Sequence, residues 1–290
     1  MLAYHAILIF SVILIAINAA SLGSFLFLNK MSMLVDAIAH AILPAIVISF
    51  VLFNFDNSFF TLIISCFLGV LVVVGIHYFS EKINVNKDAF IGVVYTFLFA
   101  VGVVLISIQF KNSPFDIENI LFGEINYLPY SDGWWMYGLK IPYITVILFI
   151  LVIINLFFLI RYKKLWLIIS FDQQMAKIQG VKVLKSTLFF LSLITINTVV
   201  SFQSVGAIMM ISLTVVPVSC AYVLTKKLNW FFGLTLVISV ISVLVGYFLA
   251  YLFDLNIIAM ISVLLGFSLF LVLFVQSIQK KTKNKLQKSL

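Results

Sequence analysis

The chain has 290 residues, of which 64% are hydrophobic and 10% charged, with a mean hydropathy of +1.23. Soluble domains carry about a quarter charged residues, so a soluble fold is excluded and an all-α polytopic membrane protein is indicated. The net charge of +8 would suit a nucleic-acid binder, but the basic residues lie between apolar runs rather than in one patch, so no nucleic-acid partner is read from it.

The first apolar run, Tyr4 to Leu28, has no basic segment before it and is about as long as a full bilayer crossing, so it is expected to remain as a helix. Further runs follow at 34–53, 58–79, 88–109, 141–160, 183–201, 204–224, 230–253 and 257–277. Each is close to the roughly 20 residues that a spanning helix needs. The break at Ser201-Phe-Gln203-Ser204 is the shortest, so the count is eight or nine crossings. These make one transmembrane domain over 1–278, followed by a basic tail over 279–290.

With nine crossings, alternate loops divide the 18 basic residues so that one side holds only Lys111 and Lys140. Positive charge favours the cytoplasm. The C-terminus is therefore placed inside and the N-terminus outside. Between Lys111 and Lys140, Pro114, Asp116, Glu118 and the pair Trp134-Trp135 predict a short interfacial helix near 115–122 and a tryptophan-marked membrane boundary. Between Arg161 and Lys185, Ser170-Phe-Asp-Gln173 has the form of a capping box and Gly180 that of a helix stop. A short cytoplasmic helix is expected there, with Phe171, Met175 and Ile178 on one apolar face. Such a helix can dock in a groove of a cytoplasmic partner or lie flat on the membrane.

Within the second run, Asp36 and His40 are four residues apart and share one helical face. If Lys30 marks the cytoplasmic edge, His40 lies about 15 Å into a hydrocarbon core about 30 Å thick. A carboxylate near that depth is costly and should face an interior path. Asp with neutral His suits Zn²⁺ or Mn²⁺, whereas Cu(I) would call for thiolates. One Asp and one His are too few for a closed site, and two copies of the chain about a two-fold axis would supply two of each. His77 and Glu81 share the same spacing, but beside Lys82 they read as a polar cap at a membrane interface. Cys66 and Cys220 lie in apolar runs and read as inert thiols. Pro217 is expected to kink its helix, and Asn155, Asn197 and Thr198 to bond between helices. Phosphate loops, dinucleotide fingerprints, zinc-protease motifs and nucleophile elbows are all missing, so the chain is read as a non-catalytic subunit.

These residues, in this order, resemble the permease family of bacterial ABC importers for zinc and manganese. The match runs through Leu22-Gly23, Met31-Ser-Met, Asp36-Ala-Ile-Ala-His40, Asp88-Ala-Phe-Ile-Gly92, Leu121-Phe-Gly123, Phe171 to Gly180, Gln203-Ser-Val-Gly206 and Pro217. It departs from the family at Val218-Ser-Cys-Ala221 and at Leu255-Asn-Ile-Ile258, which bears on how the last helices pack. The resemblance implies a homodimeric permease in the bacterial plasma membrane, fed by an extracytoplasmic metal-binding protein and driven by separate cytoplasmic ATP-binding subunits. It also implies transported Zn²⁺ or Mn²⁺, zinc ahead, with no permanently bound cofactor. Asp36 and His40 then belong to the translocation path, and Phe171, Asp172, Met175, Ala176, Ile178 and Gly180 to the coupling helix. The alternatives are an ion- or proton-coupled secondary carrier using the same pair as a relay, and a membrane assembly factor that moves no metal.

Overall fold

The computed structural model describes residues 2–53, 58–83, 86–109, 123, 125–136 and 139–288. Among them the helices are α1 (Leu2–Leu28), α2 (Leu34–Phe53), α3 (Ser58–Ile83), α4 (Lys87–Gln109), α5 (Tyr143–Phe171), α6 (Gln173–Ile178), α7 (Val183–Leu224), α8 (Leu228–Leu252) and α9 (Ile257–Lys288). A 3₁₀ turn over Ile125–Tyr130 leads into a small antiparallel hairpin, β1 (Gly133–Met136) with β2 (Leu139–Pro142). Residues 115–122, where a short helix was expected, lie outside the described set.

The bundle is built around α1, which is apolar on all sides and buried accordingly: Leu8, Val12, Ile15 and Ala16 have no exposed surface. It packs against α5, α7 and α8. Helices surrounded by lipid gain no hydrophobic energy from meeting each other, so close packing and polar pairs must fix their register. At mid-height Asn155 Nδ2 of α5 donates to Asn18 Oδ1 of α1 at 2.7 Å and to Asn197 Oδ1 of α7 at 2.6 Å. All three side chains are buried. This is the interhelical role expected of Asn155 and Asn197, with Asn18 as a third member.

By length and composition seven helices can cross a membrane, and α2 adds a shorter apolar segment, Leu34–Ser49. One of the seven, α7, has 42 residues, and a straight helix of that length would run about 63 Å, twice the hydrocarbon thickness. It is not straight. Gly206 leaves helical torsions at φ 68°, ψ −176°, a conformation essentially reserved for glycine, and its amide lies against the backbone at Gly123. Both ends of α7 return to the same end of α1: Phe190 rings with Phe25 at 5.9 Å and Tyr222 with Phe27 at 5.1 Å. The helix is therefore two arms folded at Gly206, and the described chain holds nine apolar segments. The break falls two residues beyond Ser204, at Gly206.

Two further elements differ from expectation. The apolar run that was expected to end near residue 160 continues helically to Phe171, because Arg161, Lys163 and Lys164 can reach outward from the end of a helix without breaking it. Likewise α9 continues through Lys288, so the basic tail is an extension of the last helix. Near the departures from the family pattern, α8 and α9 meet closely, with Gly246 against Ile261, and Cys220 Sγ lies 3.8 Å from Ser268 Oγ.

Candidate metal site and coupling surface

Helix α2 starts in a tight turn, where the amide of Leu34 donates to the carbonyl of Met31 at 3.1 Å. It then enters the core between α3, α4 and α7. From Leu34 to Ala45 every residue is buried except Asp36 and His40. Their side chains are 28% and 18% exposed, and His40 Nε2 stands 3.3 Å from Asp36 Oδ1. The pair thus forms a polar, open stripe on this packed stretch, as the four-residue spacing required. It can offer a carboxylate oxygen and an imidazole nitrogen to one cation.

The wall opposite the pair comes from α4. Tyr95 stacks on the His40 ring at 5.5 Å, and Phe99 meets it edge-on at 4.9 Å. α2 and α4 run in parallel, so Gly102 reaches Leu43 and Pro44 further along the same seam. Tyr95 and Phe99 were not singled out from the sequence, because an aromatic pair in an apolar helix reads as lipid-facing until the partner helix is known. Among the described residues no third His, Cys, Asp or Glu joins Asp36 and His40.

In the second histidine motif His77 is buried in α3, 2% exposed, and the side chain of Glu81 lies outside the described set. His5 packs at the far end of α1, with Nδ1 2.5 Å from Tyr247 Oη and its ring edge-on to Tyr4 and Tyr251.

At the Lys30 end, α6 is a single short helix between α5 and α7. Its N-cap is Asp172, whose Oδ1 accepts from the Met175 amide at 2.9 Å, and not Ser170, which belongs to α5 and donates to the Trp166 carbonyl. The end of α6 is closed by Gly180 at φ 78°, with the Val181 amide returning to the Ala176 carbonyl, a glycine-capped helix end. Ala176 is buried and seats the helix on the bundle. Phe171, Met175 and Ile178 are 69%, 49% and 81% exposed. Of the six residues read as coupling residues, these three form the outward apolar face, while Asp172, Ala176 and Gly180 shape and anchor it.

A polytopic helical bundle with an open Asp/His pair on a packed helix and a short amphipathic helix at one end suits a membrane transport subunit. The ABC 3 transport family matches residues 3–277, and the chain belongs to this family. It is 33% identical over 250 residues to the manganese transport system membrane protein MntD of Bacillus subtilis, covering 86% of this chain and 84% of MntD. It is 34% identical over 241 residues to the manganese transport system membrane protein MntC of Listeria innocua, covering 83% and 79% of the two chains. Among solved structures, PsaBC from Streptococcus pneumoniae in complex with Fab superposes with a TM-score of 0.76 at 26% identity, covering 97% of this chain and 95% of that one.

Proposed function

We propose that the chain is the membrane-spanning permease subunit of an ATP-driven importer of a divalent transition metal, with manganese ahead of zinc as cargo. The observation that carries this reading is the placement of Asp36 and His40 as the two open residues within the buried stretch 34–45 of α2. A carboxylate and a neutral imidazole form a donor set for Mn²⁺ or Zn²⁺. The names of the relatives favour manganese over the zinc preference drawn from the sequence resemblance.

In this function the permease does no covalent chemistry. It alternates access to the metal while cytoplasmic subunits hydrolyse ATP and an extracytoplasmic protein delivers cargo. Two copies of the chain meet so that the pair from each contributes to one coordination sphere, since two ligands are too few to strip a metal of its water. The protein sits in the bacterial plasma membrane with the Lys-rich end and the C-terminus inside. Phe171, Met175 and Ile178 enter an apolar recess on the ATPase, held in presentation by Asp172, Ala176 and Gly180.

The test is uptake of radioactive Mn²⁺ and Zn²⁺ by cells expressing the permease with its ATPase and binding protein. His40→Ala is expected to bring accumulation to background while membrane levels of the protein stay unchanged. Undiminished accumulation of both metals would remove the site. Loss of uptake on ATP depletion with the proton gradient kept separates this reading from a secondary carrier.

A further inference from the structure

Beside α6 there is a cleft of about 310 Å³ whose lining includes Asn29, Lys30, Asn86, Ser170, Phe171 and Gln173. Three junctions meet in it. Lys30 lies in the turn that starts α2, six positions before Asp36. Asn86 precedes α4, accepting from the Asp88 amide through Oδ1 at 3.2 Å, and α4 carries Tyr95 and Phe99. Ser170, Phe171 and Gln173 form the joint between α5 and α6. The cleft is therefore bounded by the roots of both walls of the metal site and by the root of the coupling helix.

Lys30 holds a backbone conformation that marks it out. It follows α1 at φ 56°, with its own amide bonded to Phe27 O and the Met31 amide to Leu26 O, both at 3.0 Å. Glycine is the usual residue at such a helix end, and Gly180 fills the equivalent place after α6. Asp254 is the other described non-glycine residue with a positive φ, at 52°, and such an outlier motivates a hypothesis of function. Lys30 lines the cleft together with Asn86 and Gln173. The surrounding end of the molecule is rich in Lys and Arg, and its described acids are occupied or turned inward: Asp172 caps α6, and Asp88 has one carboxylate oxygen buried without a bonding partner.

We propose that this cleft is a socket for a carboxylate side chain of the cytoplasmic ATPase subunit, with Lys30 as its counter-ion. Its seating there links the α5–α6 joint to the starts of α2 and α4, so movement of the ATPase reaches both sides of the Asp36–His40 pair at once. The proposal rests on the reading of α6 as the coupling helix, since the socket adjoins that helix through Phe171. A protein carboxylate fits better than a lipid headgroup because the cleft is continuous with the exposed Phe171–Met175–Ile178 face, which has the character of a protein contact.

The experiment uses the assembled transporter in membranes. Carbodiimide, which joins an amine to a carboxylate without a spacer, is expected to link Lys30 to an Asp or Glu of the ATPase, mapped by mass spectrometry. Lys30→Gly, which suits the backbone and removes the ammonium, should lose that link and lower Mn²⁺ uptake about fivefold. Lys30→Glu should lower it more than tenfold and weaken co-purification of the ATPase, while Lys30→Arg should transport at close to the wild-type rate. Wild-type uptake by both Lys30→Gly and Lys30→Glu overturns the socket. So does a link from Lys30 only to Asp88, or dependence of uptake on anionic lipid with no link to the ATPase. If Phe171→Ala with Met175→Ala transports normally, the coupling reading itself has failed; if that variant is uncoupled while Lys30→Glu is normal, only the socket has.

Discussion

Helices α2 and α6 break the ordinary rule of burial in opposite ways. α2 is buried over its first three turns and carries there a carboxylate and an imidazole as its open residues. α6 sits at the polar end of the molecule and exposes Phe171, Met175 and Ile178. In each case the residue type is unusual where it stands, a carboxylate within apolar packing and large apolar groups left uncovered at the end of the bundle. Under the proposed function each is accommodated by something the single chain lacks, a metal ion for the first and a protein surface for the second. The difference lies in how each feature is held. Asp36 and His40 ride on a long helix locked between three others, whereas the α6 face depends on one cap, one buried alanine and one glycine.

That contrast can be broken or sharpened by substitution. The largest effect is expected at α2: His40→Ala or Asp36→Asn should reduce metal accumulation to background without changing the amount of folded protein, measured by uptake and by detergent-extracted yield. Next comes Phe171→Ala with Met175→Ala. Burying a Phe or Met is worth about 1.5–3 kcal/mol, so the loss of two such contacts should weaken ATPase binding by roughly a hundredfold or more. Uptake and ATP hydrolysis should then become uncoupled while insertion is normal. Asp172→Ala removes the α6 cap, a loss of about 1 kcal/mol, and should lower coupled uptake severalfold; Asp172→Ser, which can still cap, should restore most of it. The smallest effect lies away from both regions. Asn155→Leu removes the bonds to Asn18 and Asn197, and at about 0.6 kcal/mol on average for each interhelical bond in a membrane it should lower the melting point in detergent with transport per folded molecule preserved.

The fold class was legible because apolar runs of spanning length admit only helices or closed barrels in lipid. Helix ends were less so. In α5 the basic residues Arg161, Lys163 and Lys164 mimic a loop yet continue the helix, which moved the α6 cap from Ser170 to Asp172. The fold at Gly206 also escaped a polarity criterion, since the signal for a reversal was a glycine able to take φ 68° rather than the nearby serines and Gln203. In the candidate site, Asp36 and His40 could be read from spacing alone. Tyr95 and Phe99 could not, because their role depends on which face of α4 meets α2.

The sequence by itself determined a membrane-embedded helical protein, the shared face of Asp36 and His40, and a short amphipathic helix near residue 175. Hydrophobic length and helical period are local properties that neighbours in space do not alter. Only the tertiary structure decided that α7 folds back on α1, that an aromatic wall stands over His40, and that Lys30, Asn86 and Phe171 border one cleft. Those relations join residues far apart in the chain, through packing between helices that no local pattern encodes.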